Sequence, residues 1–474
     1  MLRRAFGSLS PDQRVQAIII AFCFGALLEA LAGFGTPVAV TAVMLIAVGI
    51  APMKAAAVAL VANTAPVAFG AIAVPITTLG KITGLDPNLL GAMVGRQTPI
   101  LAVFVPMILV LMVDGRRGVR QAWPAALVGG AAFAGAQFLS SNYFNYQVAD
   151  IIASLAGALA IVLLLRVWQP AEIVGTEIIA PDVVTAAVST ADSGDSAHSV
   201  GPAGPGGTAD RDVPAGTGGT SDTGPVGKRE ALMAFAPYLI VVALFTLISF
   251  GPLKDYLDTH SGPKFAWPGL DVLTSSGKPL SAATFNLNVF TAGGTVLLVA
   301  GILTAVRYRL SAKKAFRALI AVIVQFRWTI LTVVAVLALA YVMNFSGQTV
   351  TLGLALAATG AFFAFLSPVV GWIGVAVTGS DTSANSLFGL LQTTAATQTG
   401  ISPYLLAAAN TSGGVLGKMI SPQNLAIAAA VVGMEHKESA LFRKVIWWSL
   451  GLLLGMCVLV YLQSTPVLGW MVVG

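Results

Sequence analysis

ANTSGGVLGKMISPQ, residues Ala409–Gln423, sets Lys418 directly behind a glycine-rich stretch, with long apolar runs on either side. A phosphate-binding loop would need G-x-x-x-x-G-K-[ST], so that backbone N–H groups cradle phosphate and a hydroxyl reaches magnesium. Here Ser412 stands at the first glycine and Met419 follows the lysine, so both ends of that motif fail. A polar break inside apolar sequence asks for a different explanation.

Bulk composition supplies the frame. The chain has 474 residues, 56% of them apolar and only 10% charged, and its mean hydropathy is +0.85. Soluble domains carry roughly 25% charged residues. The deficit is accounted for by apolar runs of roughly 20 residues, enough for a helix to cross the hydrocarbon core of a bilayer. The expected fold class is therefore an all-α polytopic membrane protein. A net charge of +6 does not indicate nucleic-acid binding, because the basic residues lie in short loops beside apolar segments, as the positive-inside rule requires. Cys23 and Cys457 lie in apolar runs without metal-ligand spacing and read as core residues. His198, His260 and His436 fall in polar segments, which argues against a buried histidine relay. No metal site, cofactor or enzymatic motif of the HExxH or GxSxG type is expected. The opening residues, with Arg3 and Arg4 followed by a polar stretch, do not form a signal peptide.

Apolar segments are expected near 15–32, 37–50, 53–79, 97–113, 122–140 and 150–167, then near 231–250, 284–306, 318–343, 350–378, 384–398, 403–434 and 443–463. Between the two sets, 168–229 is dense in Gly, Pro, Ser, Thr and Asp and reads as a disordered cytoplasmic linker. Three basic clusters orient the chain: Arg116, Arg117 and Arg120; Arg307 to Arg317; and Lys437, Arg443 and Lys444. Placing all three in the cytoplasm makes 15–50 a hairpin entering from the cytoplasm and 350–398 a hairpin entering from outside.

The opening stretch has a twin. Asn63-Thr64 and Asn410-Thr411 both begin N-T-x5-G-x4-P, with Gly70 matching Gly417 and Pro75 matching Pro422. Upstream lies a paired G-x-x-T, Gly33–Thr36 and Gly379–Thr382, at separations of 30 and 31 residues from the respective asparagines. Ordered repetition in hairpins of opposite orientation indicates inverted repeats with two re-entrant hairpins and two broken helices. The expected division is a first repeat over 1–167 (hairpin 15–50, broken helix 53–79), the linker 168–229, and a second repeat over 230–474 (scaffold 231–343, hairpin 350–398, broken helix 403–434, last helix 443–463). Non-helical backbone at membrane depth must be buried or line a wet cavity, and broken helix ends offer N–H donors to an anion. The substrate site is accordingly expected between the two tips and the breaks near Asn63–Gly70 and Asn410–Gly417.

These residues resemble the bacterial lactate permease family. GFGTPVAVTA, ANTAPVAFGA, VGRQ, GSDTSANSLFG and ANTSGGVLGKMISPQ carry the resemblance, which extends along nearly the whole chain outside the linker. It implies proton-coupled uptake of L-lactate, with D-lactate and glycolate as related substrates, in the bacterial cytoplasmic membrane, and a layout similar to the wider ion-transporter superfamily. Relatives of this kind generally carry further membrane segments before the first hairpin. The first repeat therefore reads as lacking its scaffold arm, from a late start or a truncation that would leave an inactive fragment.

Glu29, one turn before the first tip, is the first choice as proton carrier, since a carboxylate inside the membrane costs about 2.5–3.5 kcal/mol on insertion scales and protonation relieves it; a hairpin cap is the alternative. Asp381, at the second tip, reads equally as a helix cap or a coupling residue. Lys418 reads as the cation for a substrate carboxylate or a partner of Asp381. Gly33, Gly35, Thr36, Asn63, Thr64, Ser380, Thr382, Ser383, Asn410 and Thr411 complete the expected substrate cradle, with weaker claims for Asn385, Gln423 and Asn424. Arg96 reads as an interfacial anchor. The expected partners are lactate, a proton and the lipid bilayer, with a homo-oligomer left open. A sodium-coupled carrier of another small carboxylate is the alternative, since unwound carbonyls can hold sodium.

Overall fold

The computed structural model describes residues 10–33, 35–174, 293–325, 327–434 and 436–474, and parts of 236–290. Most of the expected linker and of the segment 231–250, together with His198 and His260, lie outside the described residues. Within them the chain is α-helical apart from one antiparallel ladder, Lys264–Ala266 with Thr284–Asn286. Among the described residues five helices are long and apolar enough to cross a membrane, or up to seven if each of two bent pairs counts as one span.

The first hairpin is α1 (Gln13–Leu31) and α2 (Thr36–Ala47). Asp12 caps α1 by accepting from the Arg14 and Val15 amides. The chain reverses at Gly33 (φ 60°) and Gly35 (φ 79°), positions where a side chain would add left-handed strain. A Cβ on Gly35 would also stand 2.6 Å from Ile427.

The first broken helix follows as α3 (Pro52–Ala62) and α4 (Gly70–Thr83), linked by a 3-10 turn at Val67–Phe69. The two parts bend by 63°. Gly70 is extended (ψ 156°), and Ala71, Ile72 and Ala73 are then all left-handed, with φ between 44° and 60°. Such a conformation costs an L-residue about 1–2 kcal/mol; it is held by burial of Ile72 and Ala73.

The expected segments 97–113 and 122–140 correspond to the two arms of α5 (Val105–Leu139), which folds back on itself at Gly115 (φ 63°, ψ −152°), so that a Cβ on Gly130 would lie 2.5 Å from the Val103 carbonyl. The first basic cluster, Arg116, Arg117 and Arg120, lies just beyond that turn with its side chains exposed, between the two arms. Helix α6 (Ala149–Leu164) packs back against α5 and against the end of α1. The described part of the expected segment 318–343 is helical, within Ala312–Gln325 and Arg327–Phe345, and the chain bends by 70° before Gln348–Ala357.

The second hairpin is α7 (Phe363–Thr378) and α8 (Asp381–Thr399), turning on Gly379 (φ 73°). The second broken helix is α9 (Pro403–Gly417) and α10 (Pro422–Val431), followed by α11 (Glu438–Gln463). Its break differs from the expectation. Asn410–Gly417 is fully helical, and the interruption comes later, at the 3-10 turn Lys418–Ile420 and extended Ser421 (ψ 138°). The glycines of the opening stretch serve packing instead: a Cβ on Gly413 would collide with the Pro368 carbonyl, and one on Gly417 with that of Trp372. Four residues apart, they let the α9 and α7 backbones touch, as small-residue pairs do in membrane helices.

Arg14 ties the start of the first hairpin to α5 and to the end of the described first half. It is fully buried, and its five N–H donors reach Asp12, Asp114 (3.1 Å), Gln121 (2.6 Å) and the Glu172 carbonyl (2.6 Å). Asp12 in turn accepts from the Val174 amide at 3.2 Å. Burial pushes the Asp12 carboxyl up, but hydrogen bonds from the Arg14 side chain and Val174, with the charge of Arg14, outweigh it and hold it below its ordinary 3.8.

Two outcomes are expected. Ala71→Gly removes left-handed strain and raises stability by about 1 kcal/mol, whereas Gly379→Ala lowers it, read as the shift in thermal unfolding in detergent. Because the Asp12 value is depressed by folding, its stabilisation is complete above the ordinary carboxylate range and lost as pH falls through the folded value. The protection factor of the Val174 amide, corrected for the intrinsic pH dependence of exchange, should therefore fall on acidification, and should not in Asp12→Asn, where the pH-dependent term is absent.

Candidate functional site

A cavity of about 440 Å³ lies where the two tips and two breaks converge, within the ~300–1,000 Å³ usual for small-molecule sites. Its wall includes Gly33 and Gly35 from the first tip, Gly379–Ser383 from the second, Gly70–Ala71 and Val74–Pro75 from the first break, and Lys418 with Pro422–Asn424 from the second. Glu29 lines the cavity as well, with Val67, Val377 and Thr378.

The main electrostatic feature joins residues 389 apart in sequence. Lys418 Nζ donates to Glu29 Oε1 at 2.6 Å, with both side chains buried. The other carboxylate oxygen accepts from Asn63 Nδ2 at 2.9 Å. Gly70 makes room for this pair, since a Cβ there would lie 2.9 Å from Glu29 Oε1. Lys418 therefore pairs with Glu29 and not with Asp381, the side-chain alternative to a substrate carboxylate in the sequence reading. Glu29 is not a hairpin cap either; its oxygens are committed to Lys418 and Asn63.

The capping at the second tip falls to Ser380, whose hydroxyl accepts from the Ser383 amide at 3.3 Å. Asp381 is thereby freed from that role. It is 3% exposed, packs on Gly414, lines the cavity, and neither carboxylate oxygen has a hydrogen-bond partner among the described residues. Thr382 and Ser383 line the same wall.

Other expected cradle residues sit elsewhere. Thr36 begins α2 outside the lining, and the Thr64 hydroxyl donates back to the Val61 carbonyl at 2.7 Å. Asn410 and Thr411 are fully buried away from the cavity. With Asn385 they form a network: Asn410 Nδ2 donates to Asn385 Oδ1 (2.9 Å), and Asn385 Nδ2 donates to Thr411 Oγ1 (2.7 Å) and to the Pro75 carbonyl (3.2 Å). That last bond crosslinks the second hairpin to the first broken helix. These asparagines and threonines therefore hold the broken helices in register, because a buried amide must find partners. Arg96 donates to Asn142 (2.8 Å) and to the Met471 carbonyl (2.8 Å) and does not line the cavity.

One acid escaped the sequence reading. Asp150 opens α6 inside an apolar run, 1% exposed, with Gln137 Nε2 donating to Oδ1 at 2.6 Å. A carboxylate beginning an otherwise apolar spanning helix was the available signal.

Removing one partner of a buried pair leaves the other uncompensated, at a cost of about 3–5 kcal/mol. Lys418→Met is expected to lose stability of that order, and Glu29→Gln combined with Lys418→Met to recover most of it. Thermal unfolding of the two singles and the double in detergent reads the coupling; strict additivity would mean that the pair does not form.

Comparison with known proteins accords with this architecture. The family model described as L-lactate permease matches residues 1–467. The glycolate permease GlcA of Escherichia coli K12 is 41% identical over 466 residues, covering 95% of this chain and 78% of that protein. The L-lactate permease of the same strain is 40% identical over 484 residues, with coverages of 100% and 82%. That of Bacillus subtilis 168 is 38% identical over 494 residues, again covering 100% and 82%. With a match that spans nearly its whole length, and with the paired tips and breaks built from the blocks that first suggested it, the chain belongs to the L-lactate permease family.

Proposed function

We propose that this chain is a secondary transporter that takes up L-lactate, with D-lactate and glycolate as further substrates, together with protons across the bacterial cytoplasmic membrane. The observation that carries the reading is the Glu29–Lys418 pair in the wall of the cavity. Relatives named for lactate and glycolate supply the substrate class.

Lys418 is neutralised by Glu29 in the wall of the cavity. An incoming substrate carboxylate competes for the same ammonium, and its 2-hydroxyl falls among Ser380, Thr382 and Ser383. Displaced from Lys418, Glu29 becomes a buried carboxylate supported only by Asn63, a state relieved by taking a proton. Lactate and proton then enter together with no net charge added, which lowers the barrier to moving them through the membrane. Asp381 is the second candidate for the proton. Gly33 and Gly35 shape the first wall, and Asn63 positions Glu29. The paired tips support reading the two halves, 1–167 and 230–474, as inverted repeats joined by the linker 168–229.

The test is uptake of radiolabelled L-lactate into sodium-free proteoliposomes under an inward proton gradient. Accumulation that collapses with the gradient, and that is lost in Glu29→Gln, is the expected result. Accumulation only after sodium is supplied would replace the proton reading with the sodium-coupled one, and equilibration without accumulation would indicate a channel.

A further inference from the structure

Beside the first break, and outside the cavity lining, a further buried acid has no role in the site described above. Asp150 lies in the first turn of α6 and forms none of the ion pairs found among the described residues. Gln137 Nε2 donates to its Oδ1 at 2.6 Å and also points to the Ala65 carbonyl at 3.4 Å. Asp150 Oδ2 and Gln137 Oε1 are both buried and both lack a hydrogen-bond partner among the described residues. Two orphaned acceptors on one hydrogen-bonded pair of side chains, in no ion pair among the described residues, are short of a donor. A proton on the carboxyl supplies one and removes the uncompensated charge.

The position gives that proton a purpose. Ala65 and Asn63 belong to the same break, and Asn63 holds Glu29 Oε2. Around Asp150, Leu27, Ala30 and Leu31 of the Glu29 helix pack on Val148 and Ile151. The titratable groups facing this region are Glu29 and Cys23 from α1 and Tyr146 from the preceding turn, whose phenol shares a hydrogen bond with Thr77 at 3.2 Å. From α5 the facing group is the neutral Gln137.

We infer that Asp150 is a proton-binding carboxyl coupled to transport, with Gln137 as the positioning residue that connects it to the first break. This rests on the reading of the chain as a proton-coupled carboxylate transporter. The carboxylate takes one proton from water to become the neutral acid and returns one proton to water on the other side, so the cycle leaves the group unchanged.

Two measurements separate this inference from that reading. In proteoliposomes, Asp150→Asn should abolish lactate accumulation driven by a proton gradient while retaining exchange of external labelled for internal unlabelled lactate, which needs no net proton movement. Asp150→Glu should restore accumulation, and Gln137→Leu should displace the pH profile of accumulation without abolishing exchange. Independently of any substrate, the infrared spectrum of the purified protein at neutral pH should carry a carboxylic-acid C=O band that disappears in Asp150→Asn and persists in Glu29→Gln. Wild-type accumulation in the Asp150→Asn protein, or equal loss of both transport modes, would overturn the coupling role; absence of the band would overturn the protonated carboxyl. If the wild-type protein moves no lactate in either mode, the transport reading falls, and the infrared band still decides the state of Asp150.

Discussion

A single buried ion pair holds the centre of this protein in place. Glu29 and Lys418 come from opposite halves of the chain and meet in the wall of the cavity. Two charges taken out of water repay their desolvation only with close geometry and further hydrogen bonds. Much of the surrounding structure meets that demand. Asn63 satisfies the second carboxylate oxygen, Gly70 withholds a side chain where the pair needs space, and the 3-10 turn at Lys418–Ile420 sets the ammonium at the break. Such a pair adds little net stability. What it fixes is position, joining the first hairpin to the second broken helix across the cavity.

The larger features were legible in the sequence because they follow from strong, local physics. Long apolar runs report spanning helices, and left-handed glycines report hairpin tips; Gly33, Gly35 and Gly379 all turn the chain where the paired motif indicated. Finer assignments were less accessible. An Asn-Thr pair beside a glycine reads equally well as a ligand cradle or as an internal brace, and only the partners of Asn385, Asn410 and Thr411 distinguish the two. Likewise, the identity of the Lys418 partner depends on tertiary approach over 389 residues, which no local pattern carries. Asp150 was visible as a lone acid in an apolar helix but had no motif to draw attention to it.

The opening stretch combines two jobs that a sequence pattern cannot separate. Gly413 and Gly417 are helical and let α9 touch α7 backbone to backbone, while Lys418 to Ser421 carry the interruption. Close packing immediately before the break makes α9 a rigid support against which the lysine is presented. The first break achieves its bend differently, through the left-handed run Ala71–Ala73. Matching motifs thus reach the same cavity by unlike backbone routes.

The long separation of Glu29 from Lys418 also imposes an order on biosynthesis. At ~5–20 residues per second, the ribosome completes the lysine about 20–80 s after the glutamate. Throughout that interval the carboxyl has no counter-ion, although Asn63, 34 residues downstream, is available within seconds. The nascent first hairpin therefore has to wait as a neutral acid held by an amide, or remain outside the hydrocarbon, until the far end of the chain arrives. Completion of the binding cavity and arrival of the final helices become one event in the assembly of the protein.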